Sequence, residues 1–388
     1  MSEIEPLLQS RDEEAASEQA TRSSVAKTKT ARVASVDVFR GLCVFLMMLV
    51  DYAGSIFPVI AHVPWNGVHL ADFVMPFFLF VAGVSVAIAY KKVSDRVEAT
   101  GKVLLRALEL FFLGVFLQGG YFHGASSLTY GVDVAKIRSL GILQRIAIGY
   151  VVAALCEIWL PCERWRGGSF LRNFTWQWCT ILLLSVIYLG LLYGLYVPDW
   201  EVRVVPSDSS LVTANNGYVH RECNISSHGE VPQTSPSWCH APFDPEGILS
   251  SLTASVACII GLQYGHFLVQ LQHHKERLWN WCMISVSLMG LGLLLAFLGI
   301  PLNKSLYTIS YLMVTSASAG ITFCILYILV DVYSWRRLTC VLEWIGKHAL
   351  SIFILVTSNI IVIVVQGFYI KAPENNIIHW IISRFVHK

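Results

Sequence analysis

An all-α, polytopic transmembrane helix bundle is the fold class this sequence predicts, on three observations. Of its 388 residues, 55% are hydrophobic and only 14% charged, with a mean hydropathy of +0.58, far more apolar side chain than a soluble domain needs for its core. Apolar runs long enough to cross a ~30 Å hydrocarbon core recur along the chain. Lysine and arginine collect in alternate connections between those runs, as the positive-inside rule requires. The formal net charge of +2 is too small to point to nucleic acid.

The elements follow in order. Residues 1–34 are polar, with Glu, Ser, Arg and Lys interspersed, and read as a disordered cytosolic tail rather than a secretory signal. Residues 35–370 form the membrane domain, with spans at about 36–57, 70–90, 103–119, 140–160, 176–197, 248–270, 279–300, 307–331 and 343–367. Residues 371–388 contain a short apolar run that ends in charge, an interfacial helix or part of a tenth span. The tail (Arg22, Lys27, Lys29, Arg32) and the segments with Lys91, Lys92 and Arg96, with Arg164, Arg166 and Arg172, with Lys275 and Arg277, and with Arg336 and Arg337 are then cytosolic. Loop 198–247 falls on the opposite side, and it carries both Cys223 and Cys239, a disulfide pair in an oxidising lumen, and a glycosylation sequon at Asn224. The tail also holds Glu3-Ile4-Glu5-Pro6-Leu7-Leu8, an acidic-dileucine pattern of the kind sorting adaptors read on lysosomal or vacuolar membrane proteins. No internal repeat of the transporter type is evident, and glycines within the spans read as helix-packing contacts.

Ionisable groups inside membrane helices are expensive, so each is a functional candidate. Asp37 and Arg40 are three residues apart on one face of the first helix, either an ion pair that locks the helix or a contact for substrate. Asp51 lies fourteen residues beyond Asp37, about 21 Å along the helix at 1.5 Å per residue. The Pro- and Gly-punctuated segment that follows brings Asp51, His62, Asn66 and Asp72 towards one outer-facing mouth. An imidazole flanked by carboxylates is suited to proton transfer near neutrality, whereas a lone loop histidine is merely solvated. Gln144 and Arg145 fall within the fourth apolar run, where Arg145 holds a carboxylate or phosphate of a ligand or pairs with a carboxylate such as Glu109. Asp244 and Glu246 in Asp244-Pro245-Glu246-Gly247 start the sixth span structurally, and Asn303 and Lys304 form a tight turn. Metal chemistry is disfavoured: there is no HExxH and no paired CxxC, and a Walker A loop is absent.

Five motifs in order carry a resemblance: Ser35-Val36-Asp37-Val38-Phe39-Arg40-Gly41, Trp65-Asn66-Gly67 with Ala71-Asp72, Gly141-Ile142-Leu143-Gln144-Arg145, Asp244-Pro245-Glu246-Gly247, and Leu302-Asn303-Lys304 with Ser310-Tyr311. Over residues 32–370 the sequence resembles the catalytic membrane domain of heparan-α-glucosaminide N-acetyltransferases, within a wider transmembrane acyltransferase superfamily. The resemblance implies transfer of an acetyl group from cytosolic acetyl-CoA, a co-substrate, to the amine of a glucosamine-type acceptor on the lumenal side. It makes His62 the catalytic histidine, with Asp51 where animal enzymes carry an asparagine. The large lumenal N-terminal domain of the animal enzymes has no expected counterpart here.

On this reading the nucleotide lies against Arg40, Arg145 and Gln144 near the cytosolic mouth, and His62 acts as general base with Asp51 and Asp72 behind it and Asn66 as oxyanion donor. An acetyl-histidine intermediate is an alternative order of events. The rival function is a proton-coupled transporter of a small solute. Expected partners are membrane lipids, acetyl-CoA and an amino-sugar acceptor; a homodimer stays open.

Overall fold

The computed structural model describes residues 33–53, 60, 62, 67–91, 95–118, 122–123, 129–130, 141–160, 174–194, 200–204, 221–225, 247–304 and 306–357. Ten α-helices carry the described fold: α1 (Ala34–Ala53), α2 (Leu70–Ala89), α3 (Arg96–Gln118), α4 (Ile142–Trp159), α5 (Thr175–Gly194), α6 (Ile248–Gln270), α7 (His274–Phe297), α8 (Ile309–Tyr327), α9 (Arg336–Lys347) and α10 (Ala349–Thr357). A π-helical turn, Ile328–Val332, extends α8. Two ribbons of paired strands sit in connections, Phe122–His123 antiparallel to Thr129–Tyr130, and Trp200–Val204 parallel to Arg221–Ile225.

Six helices (α2, α4, α5, α6, α7 and α8 with its π turn) are long and apolar enough to cross a bilayer, and α9 with α10 makes a seventh if that bent pair is one span. The chain is an integral, multi-pass membrane protein. Two of the nine expected spans fall outside this set for a physical reason. Helix α1, 20 residues, carries Asp37, Arg40 and Asp51, and α3, 23 residues, carries Arg96, Glu98, Lys102, Arg106 and Glu109. Both helices supply polar groups to the cavities described below. The expected continuous span 343–367 is also corrected. Glu343 and Lys347 pair at 2.6 Å at the end of α9, and the chain bends by 78° at His348 before α10; residues 358–367 lie outside the described residues.

Helix α6 is the centre of the bundle, buried along nearly its whole length. Its approach to α2 depends on two glycines: a Cβ on Gly83 would overlap the carbonyl of Cys258, and one on Gly261 the carbonyl of Phe80. Gly41 of α1 and Gly346 of α9 interlock in the same way. Where lipid is as apolar as the side chains, such backbone-level packing replaces the hydrophobic effect as the adhesive between helices. An aromatic cluster pins α1 and α2 to α8: Phe39 stands 5.5 Å from Phe77, 6.0 Å from Phe80 and 6.0 Å from Phe323 between ring centroids.

Proline 76 lies inside α2. Having no N–H, it leaves the carbonyl four residues earlier, that of Asp72, without its helical donor. The Tyr311 hydroxyl of α8 donates to that carbonyl. An irregularity of α2 is thereby converted into a tie between two helices at the position where Asp72 emerges.

Candidate active site

Asp72 occupies the first turn of α2, and its side chain is 0% exposed. One carboxylate oxygen accepts the backbone N–H of His69 at 3.0 Å, and the N-terminal end of the helix favours its negative charge. The other oxygen lies 2.9 Å from His62 Nδ1 and 3.4 Å from Lys304 Nζ. Lys304 Nζ is also 2.8 Å from the same Nδ1. Nδ1 cannot serve both neighbours: a lone pair facing the carboxylate would be repelled. With Nδ1–H donating to Asp72, Nε2 carries the ring's lone pair and the ammonium serves the carboxylate; with Nδ1 accepting from the ammonium at 2.8 Å, the ring proton sits on Nε2. The His62 side chain is 53% exposed, so the ring is accessible.

Lys304 is held by a loop with little freedom. Gly67, at φ 115, a conformation open to glycine and strained for other residues, donates its N–H to the carbonyl of Leu302 at 2.9 Å. The Asn303 side chain accepts the N–H of Leu306 at 2.9 Å, and its own N–H donates to the Thr308 hydroxyl at 3.2 Å. Thr308 and Ser310 in turn donate to the carbonyl of Pro301 at 2.9 and 3.1 Å. The two sequence motifs that end in Asp72 and Lys304, more than two hundred residues apart, therefore meet through backbone contacts.

His62, Asp51 and Lys304 line a cavity of about 300 Å³ together with Arg145, Arg40 and apolar residues of α1, α2, α3, α4 and α10. A second cavity, about 400 Å³, is lined by Ser85, Arg106, Glu109 and Tyr150, and it shares Arg40, Phe78, Leu110, Ile146 and Leu350 with the first. These five residues form a waist between the cavities. Arg40 is fixed there by Asp37 at 3.3 Å and by the Ser85 hydroxyl at 3.0 Å. Ser85 itself donates to the carbonyl of Val81 at 2.7 Å.

His62 lies against Asp72 and lines the same cavity as Asp51; Asn66 lies outside the described residues, as do Asp244, Glu246 and Cys239. Cys223 and Asn224 fall in the second ribbon. Asp37 pairs with Arg40, and Asn303 shapes its turn. Arg145 and Arg40 line one cavity, the one that holds His62. Arg145 and Gln144, both buried, sit in the first turn of α4, and Arg40, at the waist, also lines the second cavity. Arg145 and Glu109 line different cavities. Sequence reasoning missed Lys304 as a neighbour of His62, the relay from Arg40 to Ser85, and Arg106. It also missed a buried cluster on the other side of the bundle, where His266 Nε2 lies 2.8 Å from Glu157 and 3.2 Å from the Gln177 amide. Intramembrane charge was the available signal for Arg106 and Glu157; Ser85 and Lys304 offered none.

A family model described as heparan-alpha-glucosaminide N-acetyltransferase, catalytic, matches residues 32–191, the stretch that holds His62, Asp72, Arg40 and Arg145. The heparan-alpha-glucosaminide N-acetyltransferase of Mus musculus is 30% identical over 375 residues, covering 84% of this chain and 54% of that protein. The chain is similar to this N-acetyltransferase family. The enzyme of the same name from Homo sapiens is also 30% identical, over 333 residues, covering 78% of this chain and 49% of that protein. The chain spans about half the length of these curated relatives. Lys304 lies beyond the stretch matched by the family model, so the cavity that holds His62 is completed by a loop from the other half of the chain.

Among the described residues no group of three or more His, Cys, Asp or Glu side chains is placed to hold a metal ion.

Proposed function

We propose that the chain is a transmembrane acetyltransferase that moves an acetyl group from cytosolic acetyl-CoA to an amine, or a hydroxyl, of a sugar-type acceptor on the lumenal side. Its N-terminus is cytosolic, on the loop charges, and the acidic-dileucine tail favours a lysosomal or vacuolar membrane. The observation that carries the reading is the pairing of His62 Nδ1 with the buried Asp72, which leaves Nε2 as a proton acceptor at the wall of a cavity that adjoins a second one through the Arg40 waist.

The chemistry follows from that arrangement. The acceptor nitrogen attacks the thioester carbonyl, forming the C–N bond and a tetrahedral oxyanion. His62 Nε2 takes the proton that the nitrogen loses, the C–S bond breaks as the oxyanion collapses, and the CoA thiolate departs towards the donor side. Asp72 holds the imidazole in the tautomer that can accept this proton and stabilises the imidazolium that forms. The side chain of Arg145, buried at the wall of the same cavity, is a fixed cation suited to the developing oxyanion. Arg40, at the waist and turned towards the second cavity, suits a phosphate of the donor. Asp51, at the cavity wall beside His62, adds a negative charge that favours the imidazolium state.

The test is transfer across a bilayer. Protein in liposomes, with labelled acetyl-CoA outside and glucosamine inside, is expected to yield labelled N-acetylglucosamine inside. Solute flux that follows a proton gradient without acetyl transfer would replace this reading with the transporter.

A further inference from the structure

We infer that Lys304 is a positioning residue of the transfer reaction: its ammonium is the counter-charge of the buried Asp72 carboxylate, which allows the His62 imidazole on the same carboxylate to remain neutral and keep Nε2 free to accept a proton. This inference rests on the acetyltransferase reading and deepens it.

A carboxylate with 0% exposure requires a positive partner, because an unpaired buried charge is strongly destabilising. Two basic groups approach Asp72 Oδ1: the imidazole at 2.9 Å and the ammonium at 3.4 Å. With the imidazole as sole partner, the carboxylate would favour the imidazolium, the state in which both ring nitrogens carry protons and no base faces the cavity. Lys304 Nζ lies 2.8 Å from Nδ1 and 3.5 Å from Nε2, close enough for its charge to oppose a second proton on the ring while neutralising Asp72. The other charged groups at this cavity come from neighbouring helices: Asp51 and Arg40 from α1, and Arg145 from α4. Asp51 favours the imidazolium and the two arginines oppose it. All three remain when Lys304 is replaced, so the change isolates the ammonium. The hydrogen bonds of Asn303, Thr308 and Ser310 around this loop keep the ammonium at that distance.

Diethyl pyrocarbonate supplies a readout that does not need turnover. It carbethoxylates unprotonated imidazole, with a new N–C bond formed and ethanol and carbon dioxide released. Labelling of His62 is followed by peptide mass spectrometry from pH 5 to 9, on monodisperse, purified wild type, Lys304→Met and Lys304→Arg. On the acid side, labelling of His62 in Lys304→Met is expected to be about tenfold slower than in wild type at equal pH, the lower bound for loss of a like charge at this distance, and Lys304→Arg restores the wild-type profile. In the transfer assay Lys304→Met lowers kcat near neutrality, leaves KM for acetyl-CoA within about threefold, and regains kcat as pH rises. Superimposable labelling profiles for wild type and Lys304→Met would overturn the inference, as would a loss of rate that is equal at every pH. If Lys304→Met does not fold, Lys304→Gln is measured in its place. A shifted labelling profile in a protein that transfers no acetyl group would uphold the charge arrangement and refute the proposed activity, whereas transfer with an unshifted profile would refute the inference alone.

Discussion

Replacing Asp72 by asparagine removes a charge while keeping the shape of the side chain, and its effect can be worked from the contacts. The asparagine carbonyl can still accept the His69 N–H that Asp72 accepts at 3.0 Å, so the start of α2 is retained. The amide NH₂ then faces His62 Nδ1, 2.9 Å from Oδ1 in the native protein, and its preferred partner is a Nδ1 lone pair. The imidazole proton moves to Nε2, and the base at the cavity wall is lost. Where a His–Asp pair works in this way in other enzymes, the same exchange lowers kcat by about 10⁴. Here Lys304 opposes a second proton on the ring in either tautomer, and a loss of about 10²- to 10⁴-fold is expected, or roughly 3–5 kcal/mol at 1.36 kcal/mol per decade. Single-turnover acetyl transfer in nanodiscs, with thermal unfolding in parallel, is the assay. Retention of rate within threefold by a folded Asp72→Asn protein would refute the assigned tautomer, and with it the role of the carboxylate.

Two further outcomes follow from the geometry. Tyr311→Phe removes the hydroxyl that donates to the Asp72 carbonyl, whose helical donor Pro76 lacks, and is expected to destabilise the protein by about 1–3 kcal/mol; adding Pro76→Ala, which restores the helical N–H, should recover most of the loss of thermal midpoint, and simple additivity of the two changes would count against the tie. Leu350→Trp fills the waist between the cavities, so it should slow transfer from acetyl-CoA at least tenfold while sparing a truncated thioester such as acetyl-N-acetylcysteamine that enters from the acceptor side; equal loss with both donors would show that the two cavities are not one route.

Much of this site was legible because charge inside an apolar run is conspicuous. Asp51, Asp72, Arg40 and Arg145 each interrupt a hydrophobic pattern, and the turn residues between Gly54 and Gly67 led to the expectation that Asp51 and Asp72 share one mouth. Tight helix crossings were legible as glycines, and Gly83 and Gly261 meet that expectation. The role of Lys304 was not legible, because a lysine in a short loop is ordinary; its proximity to His62 depends on how α2 and α8 pack around Pro76 and Tyr311, a tertiary fact with no local signature. The same limit applies to Arg145. Its sequence neighbourhood marked it as a ligand group, while the cavity it faces is set by the packing of α4 against α2, α3 and α6. Helices α1 and α3 were read as spans from their length, although their charges keep them from the apolarity of the other six. Those charges are the polar lining of the two cavities. The break at His348 had no proline or glycine at the bend itself to announce it, and an apolar run was read through it.

The account's central claim is that His62 performs proton transfer for acetyl movement across the bilayer. The most direct measurement compares wild type with His62→Ala in liposomes, with labelled acetyl-CoA outside, glucosamine inside, and CoA binding followed on the same preparations. Wild type should accumulate labelled product inside, and His62→Ala should lose at least 10³-fold in rate while it still folds and binds CoA within about threefold. Undiminished transfer by His62→Ala would contradict the account.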